Sequence, residues 1–475
     1  MGNDELHVLF FPFPANGHII PCVDLARVFA MRGVKTTIVT TPLNVPLISR
    51  TVGKATIQIR TIKFPSPEET GLPQGCENSD SALSPDKIIA FLKATMLLRD
   101  PLEHLLQQEH PHCLVADMFF PWATDSAAKF GIPRIVFHGL GFFPLCVLAC
   151  VRQYRPQDKV SSYTEPFVVP NLPGEITLTK MQLPQTPKHD EVFTQLLDEA
   201  NDSELKSFGV IANSFYELEP VYAEHYRNHL GRRAWHLGPV SLCNRDSEEK
   251  AWRGKEAAID EHECMKWLAS KEKDSVVYVC FGSMTSFSEA QLREIALGLE
   301  ASGRAFIWVV KKGSNEKLEW LPEGYEDRVE GGGKGLIIRG WAPQVMILDN
   351  EAVGGFVTHC GWNSALEGVC AGLPMVTWPM YAEQFYNAKF LNDVVRIGVG
   401  VGVQTWIGMM GGEAAVKKEV IEKAVKRIMV GEEAEEMRKR AKELSLMARK
   451  AVREGGSSYS HFNSLLQDLR SPTCM

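Results

Sequence analysis

Residues 341–384 read WAPQVMILDNEAVGGFVTHCGWNSALEGVCAGLPMVTWPMYAEQ. Within them the apolar run 354–358 has the character of a buried strand, and it stops at His359-Cys360-Gly361-Trp362-Asn363-Ser364. Residues 365–371 then have helical spacing. A strand, a glycine-bearing turn and a helix N-terminus make an anion site, because the first amide N–H groups of a helix lack partners inside it. His359, Asn363 and Ser364 add side-chain donors at that end. Another strand, 335–340, delivers Trp341 and Gln344 to a loop where a planar ring can stack. Glu367, four residues after Asn363, shares its helix face and can accept from hydroxyl groups. These residues alone specify a site for a phosphorylated, hydroxylated, ring-bearing ligand.

Outward from this segment the chain falls into two similar halves. The first opens with the apolar strand 7–13, continues through Asn16-Gly17-His18 into an apolar-periodic helix that Gly33 stops, and reaches a second strand at 36–41. The second opens with the strand 275–281, turns at Gly282-Ser283, forms a helix over 288–302 and returns to a strand at 306–310. Continuous apolar strands alternating with helices predict parallel sheets covered on both faces. The fold class is therefore α/β, with two facing Rossmann-like domains. The stretch 244–263 is charged and poor in aliphatics, which marks a solvated connection. It divides an N-terminal domain, 1–245, from a C-terminal domain, 263–456, with 246–262 as the linker. Segments 65–85 and 155–187 are rich in turn residues and read as long functional excursions from the first sheet. A highly charged helix over 432–453 breaks at Gly455-Gly456, and 461–469 forms a last short amphipathic helix.

Composition narrows the function. At 475 residues the chain exceeds one typical core, and 45% apolar with 23% charged residues is ordinary for a globular protein. The net charge of −7 gives no basic face for nucleic acid, so an anionic ligand has to be met by local donors and helix ends. Eleven scattered cysteines without CxxC pairs point to reduced thiols and a cytoplasmic setting. The opening MGNDELHVLFF lacks a cationic region, so no signal peptide is expected, and the 13-residue apolar run 139–151 is too short to span a bilayer. His110, His112 and Cys113 are the only metal-like cluster; beside Pro111 they fit a loop before a strand, and no metal is assigned.

Two residues stand where α/β proteins place their ligands, beyond the ends of strands. His18 follows the first strand, and Asp117 ends another, 113–116. Imidazole titrates near neutrality and suits a general base, and a carboxylate on its far nitrogen would fix the tautomer. From spacing alone a lone histidine after a strand is more often structural, and a helix-capping aspartate before Pro121 is the plain alternative for Asp117. Phe119, Phe120, Trp122, Phe142 and Phe143 could line an apolar pocket or simply be core, while Phe13 and Pro14 are better placed to face a ligand. A nicotinamide oxidoreductase would need G-x-G-x-x-G between a strand and a helix, and none is present there. A non-catalytic metabolite-binding protein would be expected to lack His18 or Asp117.

The 44-residue segment 341–384 resembles the signature box of plant secondary-product UDP-glycosyltransferases, family 1, and the whole layout resembles their two-domain GT-B fold. Stretches 116–139 and 234–268 look most like the branch that acts on flavonoids, other phenolics and triterpenoids. The resemblance implies that His18 and Asp117 are the catalytic pair. It implies a UDP-sugar held by Ser283, Trp341, Ala342, Gln344, His359, Trp362, Asn363, Ser364, Glu367, Glu383 and Gln384. In this assignment Trp341 stacks on uracil, while Gln344 and Glu367 meet the ribose. His359, Asn363, Ser364 and Ser283 hold the diphosphate, and Trp362, Glu383 and Gln384 contact the sugar. The terminal Gln384 resembles that of glucose users. Phe13, Pro14, Phe119, Phe120 and Phe142 are the acceptor-binding candidates. The final helix, 457–475, is expected to join the N-terminal domain. Asn350 stands where the family usually has histidine, away from the sugar end. No D-x-D occurs in the chain, which fits a metal-independent enzyme without cofactor. The implied activity is that of an inverting UDP-glucose-dependent O-glucosyltransferase: a monomer whose partners are a UDP-sugar and an apolar aglycone, without nucleic acid or membrane insertion. A triterpenoid (saponin) acceptor, or another donor such as UDP-galactose, is the alternative.

Overall fold

A computed structural model describes residues 5–82, 84–184, 191–311, 320–405 and 416–471. Leu83 of the first turn-rich excursion, residues 185–187 of the second, and 472–475 of the C-terminal segment lie outside the described residues. The chain divides into two compact units: Met1–Phe142, Thr186–Gly254 and Lys450–Met475 make the first, Phe143–Gln185 and Lys255–Arg449 the second.

The first unit is built on seven strands: β1 (His7–Phe11), β2 (Lys35–Thr40), β3 (Gln58–Thr61), β4 (Cys113–Asp117), β5 (Arg134–Phe137), β8 (Gly209–Ala212) and β9 (Ala234–His236). Between β5 and β8 the chain leaves this unit, and the short antiparallel pair β6 (Phe167–Val168) and β7 (Thr177–Leu178) belongs to the second. The sheet order is β3-β2-β1-β4-β5-β8-β9, and the pairings are parallel. Successive residues of β1 point to opposite faces. Val8 and Phe10 pack with Val23 and Phe29 of helix α1 (Asn16–Ala30), while Leu9 and Phe11 pack with Phe91, Leu102 and Phe120 on the other side. The C-terminal helix Ser457–Arg470 completes the first of these cores through Phe462 and Leu465, and Ser458 donates to the Gly238 carbonyl at 2.6 Å.

Charge pattern misreads the stretch after residue 244. Arg27 of α1 donates to Glu249 at 2.6 Å, Arg253 donates to Asp24 at 2.7 Å, and Asn244 donates to Asp24 at 3.0 Å. Asp24 is fully buried, and a carboxylate survives there only because it is paired. Residues 244–254 are therefore docked on α1 rather than solvated.

The second unit carries β10 (Val276–Cys280), β11 (Ala305–Val310), β12 (Gly335–Arg339), β13 (Val353–Thr358), β14 (Met375–Thr377) and β15 (Gly398–Gly400), in the order β12-β11-β10-β13-β14-β15, again parallel. Both sheets share one topological consequence. Strand order reverses direction between β1 and β4 in the first and between β10 and β13 in the second. Adjacent connections there run to opposite faces, which opens a crevice beyond the carboxyl ends of those strands.

Candidate active site

At the first switch point β4 ends in Asp117, while β1 leads through residues 12–15 into α1. The helix starts at Asn16, earlier than a turn at 16–18 would allow, so His18 lies in its first turn. His18 Nδ1 is 2.7 Å from Asp117 Oδ2. The other carboxylate oxygen, Oδ1, accepts the Phe119 N–H at 3.0 Å. The next helix begins only at Ala123, with Trp122 at its N-cap, so Asp117 serves the turn and the histidine and not a helix end. Asp117 is 4% exposed and His18 27%: the carboxylate is shielded and the imidazole reaches solvent. With Nδ1–H given to the carboxylate, Nε2 carries the lone pair of the neutral ring.

Rings gather around this pair. Phe13 and Phe119 lie 5.6 and 5.5 Å from His18 between centroids, and Pro14 is fixed by Ser79, whose N–H donates to its carbonyl at 2.8 Å. Two other aromatics expected here are fully buried or nearly so. Phe120 is fully buried, stacked on Phe11 at 4.2 Å, and Phe142 packs on Tyr226 and His236 at 5.4 and 6.4 Å. Phe120 nevertheless lies 5.9 Å from Phe13 between centroids, while Phe142 fills core. His112 Nδ1 accepts the His7 N–H at 3.1 Å, which gives that histidine a structural partner ahead of β4.

At the second switch point Ser283 follows β10, and β13 delivers His359. Cys360 takes φ +65° and Gly361 forms the N-cap, so the helix runs over Trp362–Ala371 and starts three residues before its apolar periodicity does. Its N-terminus has no side-chain cap. The His359 imidazole is wedged between two glycines: a Cβ on Gly282 or Gly361 would stand 2.8 or 2.5 Å from its Nε2. Nδ1 is buried without a hydrogen-bond partner, and burial pushes the pKa down to about 4, so the ring is neutral at physiological pH.

Gln344 gathers the next residues. Its Nε2 donates to Glu367 at 2.7 Å and to Ser364 at 3.1 Å. Trp341 is held through its carbonyl, which accepts the Ala258 N–H at 2.7 Å, while its indole Nε1 is buried without a partner; Ala342 beside it is buried. Gln384, itself buried, opens a short helix with Glu383 at the N-cap, and its Oε1 accepts the N–H groups of Met380 and Tyr381 at 2.9 and 3.1 Å. Asn387, absent from the sequence-based set, ties this end to the turn: its Nδ2 donates to the Cys360 carbonyl at 2.8 Å and to Glu383 at 3.2 Å. Trp362 and Asn363 occupy the first two helical positions. Asn350 precedes β13 and caps its own turn at the Ala352 N–H, 3.0 Å, at the opposite end of the strand from His359.

Residues 230–438 match the family described as UDP-glucoronosyl and UDP-glucosyl transferase. The chain is 55% identical over 472 residues to UDP-glucose flavonoid 3-O-glucosyltransferase 7 of Fragaria ananassa, covering 98% of this chain and 96% of that relative. It is 54% identical over 472 residues to the scopoletin glucosyltransferase of Nicotiana tabacum, covering 98% of each. The chain belongs to the plant secondary-product UDP-glycosyltransferases. The structure of a Glycyrrhiza uralensis UDP-glycosyltransferase complexed with glycyrrhetinic acid 3-O-monoglucuronide matches this glycosyltransferase with a TM-score of 0.90 and 42% identity, over 98% of this chain and 96% of that one. A Medicago truncatula UDP-glycosyltransferase complexed with UDP-glucose matches with 0.79 and 27%, over 99% of each. The two parallel-sheet units are thus those of a GT-B enzyme. Among its described residues no helix is long and apolar enough to cross a membrane, and no group of three or more His, Cys, Asp or Glu could hold a metal ion.

Proposed function

We propose that this UDP-glycosyltransferase is an inverting, UDP-glucose-dependent O-glucosyltransferase for hydroxyls on small apolar plant metabolites, with flavonoids and other phenolics as the favoured acceptors. The observation that carries the proposal is the 2.7 Å pair of His18 Nδ1 and Asp117 Oδ2. His18 Nε2 takes the acceptor proton as the hydroxyl oxygen bonds to C1 of glucose. The bond from C1 to the diphosphate breaks on the opposite face, UDP departs with the electron pair, and a β-glucoside results. Asp117 stabilises the imidazolium that forms.

On the donor side, Trp341 and Ala342 meet the uracil, and Gln344 with Glu367 meets the ribose. Ser283, His359, Asn363, Ser364 and the uncapped helix N-terminus meet the diphosphate. Trp362, Glu383 and Gln384 take the sugar hydroxyls. No metal or other cofactor takes part in this reading, since these donors and the helix end meet the diphosphate charge. Phe13, Pro14 and Phe119 form the acceptor wall. The enzyme acts as a cytoplasmic monomer, with its first unit serving the acceptor and its second the sugar nucleotide.

The Fragaria and Nicotiana relatives, named for flavonoid and scopoletin glucosylation, support the phenolic reading. The Glycyrrhiza complex with glycyrrhetinic acid 3-O-monoglucuronide favours a second one, a triterpenoid acceptor. A screen of phenolic and triterpenoid alcohols against UDP-glucose, UDP-galactose and other UDP-sugars, followed by mass spectrometry, tests both. β-Glucosides of flat phenols are expected. Transfer confined to oligosaccharides or protein would overturn the acceptor assignment.

A further inference from the structure

We infer that Arg134 is a positioning residue for the catalytic pair, fixing the end of β4 from which Asp117 meets His18; the inference rests on His18 being the base. Arg134 opens β5, which runs beside β4 in register from Leu114↔Arg134 to Asp117↔Phe137. Its side chain is 2% exposed and extends toward the Asp117 end of its neighbour. Nη2 donates to the Asp117 carbonyl at 2.8 Å and to that of Ala116 at 3.4 Å. Nη1 donates to Thr124 Oγ1 at 2.9 Å and Ser203 Oγ at 3.0 Å. Ser203 in turn donates to the Pro121 carbonyl at 2.7 Å. One guanidinium therefore ties together the last peptide of β4, the helix Ala123–Ala128 and, through Ser203, the helix Glu191–Lys206 and the Pro121 turn.

All four acceptors are neutral oxygens, so this cation is buried without a directly bound counter-ion. A fold that needed only to fill the space would be served as well or better by an apolar side chain. What the arginine adds is a rigid fork on the Asp117 peptide while the Asp117 carboxylate is engaged by His18 and by Phe119. The charged groups acting on the guanidinium are Asp117 and Glu204. Glu204 is itself bound by His138, Tyr226 and Arg232, whereas Asp117 shares its charge with His18. A positive charge beside Asp117 also tempers the hold of that carboxylate on the imidazolium, keeping His18 available as a base.

The test compares two acceptors: a weakly acidic aliphatic alcohol, which needs the base, and a nitrophenol ionised at the assay pH, which does not. In Arg134→Met, kcat on the alcohol should fall on the order of 10-fold to 10²-fold as the pair loses its geometry. Transfer to the nitrophenol and KM for UDP-glucose should change little. The acid limb of kcat/KM on the alcohol should move to higher pH, because removing a neighbouring cation strengthens the Asp117–imidazolium attraction. Arg134→Lys keeps the charge without the fork, so it should restore the limb but not the full kcat; it also carries the acceptor comparison where Arg134→Met does not fold. Equal losses on both acceptors with an unmoved limb would make Arg134 a purely structural residue and overturn the inference. His18→Ala run in parallel separates the failures. If it too spares the alcohol, the base assignment has failed. If it discriminates between the acceptors and Arg134→Met does not, only the Arg134 inference has.

Discussion

Replacing Gly282 by alanine should damage the donor site far more than it damages the fold. Gly282 has φ +75°, in the left-handed region, where a residue with a Cβ pays about 1 kcal/mol. The added Cβ would stand 2.8 Å from His359 Nε2, closer than a carbon tolerates, and the imidazole is buried, so it has little room to shift. The imidazole then has to shift within the turn that joins β13 to the Trp362–Ala371 helix, and on the proposed donor reading its contact with the diphosphate is lost. Losing one well-oriented donor to an anion is worth about 2 kcal/mol, on the order of 30-fold in the Kd for UDP. Gly303→Ala supplies the control. It has φ +69° at a helix end of the same unit, but its Cβ would meet nothing within 4 Å. It should lower stability by about 1 kcal/mol and leave UDP binding as in the wild type. Calorimetric titration with UDP, alongside melting curves for both variants, measures the two effects separately. If Gly282→Ala bound UDP like Gly303→Ala, the His359 turn would not be part of the donor site.

Gln344→Ala removes the 2.7 Å donor from Glu367, so KM for UDP-glucose should rise on the order of 10-fold with a smaller change in kcat, read from initial rates across donor concentration. Gln384→His should lower the ratio of kcat/KM for UDP-glucose over UDP-galactose; an unchanged ratio removes Gln384 from the sugar site. Activity should survive excess EDTA in metal-free buffer, and a collapse restored by Mg²⁺ or Mn²⁺ would contradict the donor reading. Acid should loosen the first unit. His236 and His461 stack at 3.7 Å and Arg227 donates to His236 Nδ1 at 2.7 Å, so both rings are held neutral; burial first, then the neighbouring cationic groups, lowers their pKa values to about 2 and about 4. The unfolded rings take protons below pH 6.5 while the folded ones do not. Stability present above that pH is therefore lost progressively as pH falls toward 4. Melting curves of His236→Gln should show a flatter decline across this window.

The parallel sheets were legible because their strands are continuous apolar runs punctuated by glycine, and β10, β11, β13 and the helix Glu289–Ser302 fall within a residue or so of where the pattern puts them. Helix starts were less so. Periodicity begins at Ala365, but Gly361 caps the helix, and a cap without a side-chain oxygen leaves no residue signature. The charged stretch after Asn244 looked solvated because a sequence shows the sign of a charge and not its partner. Asp24 and Arg27 lie more than 200 positions away. The strand, turn and helix that carry His359, Asn363 and Ser364 could be placed from the sequence pattern, whereas the wider donor set came from the resemblance of 341–384. Asn387 could be placed by neither, since its reason for being there is the Cys360 carbonyl brought to it by folding. Phe142 shows the same limit from the other side: it packs on Tyr226 and His236 as core, and composition does not record which aromatics near a site become core.

The central claim is that His18, oriented by Asp117, is the base for glucose transfer. Its most direct measurement is turnover of UDP-glucose by His18→Ala on a weakly acidic alcohol acceptor, with UDP binding titrated on the same sample. Transfer should drop by about 10²-fold to 10⁴-fold while the Kd for UDP stays at the wild-type value, because the base acts only in the chemical step. Near-normal turnover on that acceptor would contradict the account.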